Sequence, residues 1–150
     1  GMDDFMRYLS SFKVQFDKDG NVIISRKEYN QLDKHFRESV RLCRTYSEAG
    51  NIEGIKEELA KVHYMVQLIN KYYLSPNANK NPRIKSDIKK DMLDLRSVML
   101  NHFNTYMKWL TIREPSFNFQ SYYDTSKYGN TNMVPAKVLT AVGKVLITAL

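Results

Sequence analysis

The sequence predicts a mainly α fold: a helical hairpin plus a long third helix, a three- to four-helix bundle, with a small N-terminal β-hairpin. Three observations carry this reading. Ile52, Ile55, Leu59, Val62, Val66, Ile69 and Tyr73 recur at alternating spacings of three and four, a coiled-coil-like seam. Only Gly50-Asn51 separates that seam from the one before it, so the two helices must run antiparallel. Asp19-Gly20, between the runs Lys13 to Phe16 and Asn21 to Ile24, is a hairpin signal.

The elements follow in order. Asp3 to Phe12 places two acids ahead of Phe5, Leu9 and Phe12, which suits a short amphipathic helix whose N-terminus favours negative charge. After the hairpin, Ser25 stands three residues before Glu28, a capping box that starts a helix near Arg26. Tyr29, Leu32, Phe36, Val40, Cys43 and Tyr46 mark its apolar face, and Gly50 ends it. In the next helix Leu59 lies on the seam and Lys61 off it, so Lys61 is expected in solvent. Residues 75–82, with two prolines and three asparagines, form a loop. A third helix is expected from Arg83 to Ile112, with Ile88, Met92, Leu95, Met99, His102, Tyr106 and Trp109 as its seam.

Residues 113–133 carry Pro115, Gly129 and scattered aromatics, and read as an irregular connection pinned by rings. Residues 134–150 are the most apolar stretch and read as a C-terminal helix beginning at Pro135. Gly1 ahead of Met2 reads as a protease scar. The remaining residues, 2–150, make a single helical domain: short helix and hairpin at 2–25, three-helix core at 26–112, connection at 113–133 and apolar helix at 134–150. No apolar run approaches the ~20 residues of a membrane span. The one cysteine, Cys43, excludes an intramolecular disulfide and suits a small buried hydrophobe.

The twelve residues from Asp17 to Glu28 resemble the calcium-binding loop of the EF-hand family. Asp17, Asp19 and Asn21 match its first three side-chain positions, Ser25 its ninth and Glu28 its bidentate twelfth. Val22 stands where that family has glycine, and no second loop pairs with the first. The resemblance implies a calcium-binding module as one alternative; a hairpin running into a capped helix is the leading reading of the same letters.

The chain holds 23 Lys and Arg against 16 Asp and Glu, a net charge of +7. Lys34, Arg37, Arg41 and Arg44 form a ridge along the second helix, and Lys80, Arg83, Lys85, Lys89 and Lys90 cluster around the start of the third. Together they make an anion- or nucleic-acid-binding helical protein the second alternative. Glu38, Glu48, Asp91 and Asp94 interrupt both sets, as on a solvated face.

No catalytic constellation is present. His35, His63 and His102 stand apart from the spacings that place metal ligands on one helix face, and no cofactor is implied. By elimination the leading expectation is a non-enzymatic protein–protein interaction or assembly module. Such a chain is expected in the cytoplasm or, if phage-encoded, as a virion subunit; its Lys, Asn, Tyr and Ile, residues of AT-rich codons, fit many bacteria and their phages alike. Its partner is expected to be another copy of itself or a second protein, through Val138, Leu139, Val142, Leu146 and Leu150 on the C-terminal helix.

Overall fold

The computed structural model describes residues 2–23, 25–74, 86–129, 136–139 and 145–148. The order of elements is α1 (Met2–Ser11), β1 (Lys13–Phe16), β2 (Val22–Ile23), α2 (Arg26–Glu48), α3 (Ile52–Leu68), α4 (Ser86–Arg113), α5 (Phe119–Thr125), β3 (Ala136–Leu139) and β4 (Val145–Thr148). The chain is mainly helical, with α2, α3 and α4 packed against one another. The expected helical hairpin, third helix and N-terminal β-hairpin are all present.

Local chemistry explains each boundary. The Ser25 hydroxyl accepts from the Glu28 amide at 3.5 Å and caps α2. At its far end Gly50, at φ +68°, turns the chain, while the Asn51 amide donates to the Tyr46 carbonyl at 2.8 Å. That bond closes a Schellman-type end, and the Asn51 side chain then accepts from the Gly54 amide at 2.9 Å to start α3. One residue thus ends one helix and begins the next, which folds α3 back along α2. The last turn of the second seam, Ile69–Tyr73, is a π-helix rather than a continuation of α3.

α3 is the central element. Leu59 is fully buried, as the seam requires, but so are residues on every other side of the helix. Lys61 is buried too, against the expectation of a solvated lysine. The α2 face also differs by one position: Leu32, Phe36, Ser39 and Cys43 point inward, and Val40 is exposed. Ser39 and Val40 are neighbours, and the buried one is the polar one, the reverse of what polarity alone favours.

Two further corrections concern the C-terminal third. Inside the stretch expected to be irregular, α5 forms because the Asn118 side chain accepts from the Ser121 amide at 2.9 Å. Its inward ring is Tyr123, and Phe119 and Tyr122 lie partly buried beside it. The expected C-terminal helix is replaced by β3 and β4 where the segment is described. Val138, Val145, Ile147 and Thr148 are β-branched, stiff in a helix and favoured in strands, and Gly143 interrupts the run.

The N-terminal hairpin is therefore part of a four-stranded sheet ordered β2-β1-β3-β4. β1 pairs antiparallel with β2, Phe16 opposite Val22, and parallel with β3, Val14 opposite Val138. β3 pairs antiparallel with β4, Val138 opposite Leu146. The crossover between parallel β1 and β3 contains the whole helical bundle, so the two ends of the chain meet in one sheet. Phe5, Leu9, Phe12 and Val14 seal this end, packing with Leu32, Tyr64 and Tyr73. A smaller cluster of Cys43, Ile55, Leu59 and Leu110 fills the opposite end.

Candidate functional site

An open groove of about 980 Å³ lies between α1 and α2. α1 contributes Asp4, Arg7 and Ser11, because its apolar side faces the core and leaves these polar residues on the rim. α2 contributes Lys34, Arg37 and Arg41, spaced three and four residues apart and so aligned along one edge. Deeper in the groove lie Phe5, Tyr8, His35, Ser39 and Lys61.

His35 stacks on Tyr8, with ring centroids 4.2 Å apart and planes inclined by 24°. Burial, then the nearby Lys34 and Lys61 charges, hold its pKa below the ordinary imidazole value. Tyr8 is pushed the other way, upward, by burial and then by the Glu28 carboxylate. Lys61 pairs with Glu58 at 2.9 Å. On the rim, Arg37 pairs with Asp33 at 3.0 Å and Arg41 with Glu38 at 2.6 Å, while Arg7 pairs with Asp4. Lys34 pairs with no carboxylate among the described residues.

The structure treats the two basic sets of the sequence differently. Lys34, Arg37 and Arg41 line the groove; Arg44, one turn further along α2, does not. Lys89 and Lys90 lie on α4, away from the groove, with Lys90 3.7 Å from Asp94. Lys80, Arg83 and Lys85 lie outside the described residues. Arg7 and Lys61 belong to the groove as well, although neither falls in a basic ridge of the sequence. Arg7 sits three residues after Asp4, and Lys61 three after Glu58, spacings that mark a shared helix face.

The residues of the EF-hand-like loop serve the backbone. Asp17 Oδ1 accepts from the amides of Asp19 and Asn21, each at 2.9 Å, and its other oxygen accepts from the Asn21 side chain. These bonds lower the Asp17 pKa, the Asn21 amide most of all. Gly20, at φ +82°, takes the left-handed position, and Val22 is a buried strand residue. Ser25 is spent on the α2 cap, and burial raises the pKa of the half-buried Glu28. No group of three or more His, Cys, Asp or Glu that could hold a metal ion occurs among the described residues.

A smaller cavity of about 350 Å³ lies between α3 and α5, lined by His63, Gln67, Gln120, Tyr123 and Asp124 among others. His63 packs against the rings of Phe119 and Tyr123, and burial lowers its pKa. His102 lies edge-on to Phe36 at 5.4 Å, its Nε2 buried without a partner and its pKa lowered by burial to about 4. Cys43 is buried, and burial, followed by the charge of Glu58, pushes its thiol up to about 12.

The sheet supplies the other surface of interest. β4 is an end strand: β3 covers one edge, and no strand lies on the other among the described residues. Val138 and Leu139 fall on β3 and Leu146 on β4, while Val142 and Leu150 lie outside the described residues. Successive strand residues alternate between faces, so Val138 and Leu139 do not share the single helical face expected of them. No helix among the described residues is long and apolar enough to cross a membrane. No protein-family model matches this chain, and neither a curated protein nor a solved structure does.

Proposed function

We propose that this chain is a non-enzymatic assembly module that joins a second copy of itself through the outer edge of β4. One observation carries the reading: β4 ends the sheet with one edge unpaired among the described residues. A free strand edge presents a row of backbone donors and acceptors that another strand can satisfy. Its sequence, Val-Leu-Ile-Thr, holds none of the charges or prolines that guard such edges. The opposite edge is only the two residues of β2, too short to template much pairing.

Antiparallel pairing of β4 with its copy is self-complementary about a two-fold axis and closes at a dimer, with no further edge of the same kind left to grow. In this reading the chain acts as a dimer, in the cytoplasm or as one building block of a larger particle such as a phage virion. Hydrogen–deuterium exchange tests it. Amides of residues 145–148 should exchange more slowly as protein concentration rises, while those of β2 keep a constant rate. Exchange at 145–148 that is independent of concentration contradicts the reading.

A further inference from the structure

We propose that the groove between α1 and α2 binds single-stranded nucleic acid, its phosphates held by Lys34, Arg37 and Arg41 on one wall and Arg7 on the other. These four cations line one concavity of about 980 Å³, against the carboxylates of Asp4, Asp33 and Glu38. The acids do not cancel the site. Each pairs with an arginine of its own helix, three or four residues away, and the arginine side chains are 62–79% exposed. Exposed pairs of this kind contribute only a few tenths of a kcal/mol, so a phosphate can replace the carboxylate on any of the three guanidiniums. Phosphate also suits the bidentate arginine fork. Lys34 needs no such exchange.

Spacing fits a strand. Lys34 and Arg41 are seven residues apart, about 10 Å along the helix. That length lets the ridge reach more than one phosphate of a strand laid along it. The groove also holds a ring. His35 lies half-buried in its wall, backed by Tyr8 at 4.2 Å, and gives an unpaired base a surface on which to stack. Its lowered pKa keeps the imidazole neutral near pH 7, so the stack needs no charge. A double helix keeps its bases turned inward and cannot use that ring, which is why a single strand is the occupant argued for.

Fluorescence anisotropy with a labelled twelve-residue oligothymidylate tests the site on the whole chain. Binding is expected at about 50 mM salt and should fall steeply as salt rises. Arg37→Ala with Arg41→Ala should weaken it at least tenfold and flatten the salt slope by about 0.7 for each phosphate no longer neutralised. These side chains are solvent-facing, and circular dichroism should show the fold unchanged. His35→Ala should weaken binding severalfold with the slope unchanged, and His35→Trp should restore it, a pattern a merely structural role does not give. Lys108→Ala and Arg113→Ala, outside the groove, should have less than a twofold effect.

Any of these outcomes overturns the proposal: no binding at low salt; equal loss from the variants outside the groove; tighter binding to a duplex of the same length; or displacement by inorganic phosphate at matched phosphate concentration. The last reduces the groove to a simple anion site. A polyglutamate peptide that competes as well as the oligonucleotide would also sink it.

Discussion

Lys61 Nζ lies 2.9 Å from Glu58 Oε2, and the two side chains keep only 6% and 3% of their exposure. The second Glu58 oxygen is buried without a hydrogen-bond partner. Burying two charges costs several kcal/mol per ion, and an incompletely satisfied pair recovers only part of it. Removing one member leaves the other stranded. Lys61→Ala should therefore cost about 3–5 kcal/mol in urea denaturation, comparable with the ~2–5 kcal/mol expected for the fully buried Leu59→Ala. Replacing both, as Glu58→Leu with Lys61→Met, should be near neutral or stabilising. A cost below about 0.5 kcal/mol for Lys61→Ala, the size of an ordinary surface change, would mean that this lysine reaches water after all.

Gly54 and Tyr46 make a second close relationship. A Cβ built on Gly54 would lie 2.7 Å from Tyr46 Cδ2 and 2.8 Å from Cγ, so the ring rests on the bare backbone of α3. Those ring atoms are near the stem of the side chain and cannot swing aside cheaply. Gly54→Ala should cost about 1–3 kcal/mol, despite alanine's higher helix propensity. Pairing it with Tyr46→Ala should recover part of the loss, because the clash is then gone; a double mutant cycle by thermal melting reads the coupling. Gly54→Ala that raises the melting temperature contradicts the contact.

His102 makes stability depend on pH. Its pKa falls from 6.5 to about 4 because burial disfavours the imidazolium. As pH drops, the unfolded chain takes up this proton first, so the contribution of His102 is intact above pH 6.5 and is lost progressively toward about 4. His35 and His63 are shifted in the same direction and add to the slope. Melting temperature should fall across this window, and His102→Leu should make the fall shallower. An unchanged slope in that variant would show that the ring is already solvated.

The helices are legible in the sequence because their signals are local. Ser25 and Gly50 punctuate α2, and the unbroken seam from Ile52 to Tyr73 names the helix that everything else packs on. What escapes depends on contacts far apart in sequence. β3 exists because Val14 and its neighbours on β1 need a partner, and that partner lies more than a hundred residues away. An apolar run of four to eight residues looks the same in a strand and in a buried helix, and the β-branched bias of Val145 to Thr148 is the signal that decides between them. Lys61 defies its pattern for a related reason. A seam tells which face of α3 meets its nearest neighbour, whereas α4 packs on another and rings of α1 and α5 reach it as well. The groove is half legible: the ridge of Lys34, Arg37 and Arg41 follows from helical spacing, but the α1 wall facing it does not.

Light scattering on the intact chain reads association through β4 as a change of mass. Mass should rise with concentration from 17.6 kDa to twice that value and stop there, as a closed two-fold contact requires. A variant that keeps β4 but carries a lysine and a proline in it, the edge guards this strand lacks, should hold the monomer mass throughout. A single mass of 17.6 kDa for the intact chain at every concentration, or a dimer unaffected by those guards, would contradict association through β4.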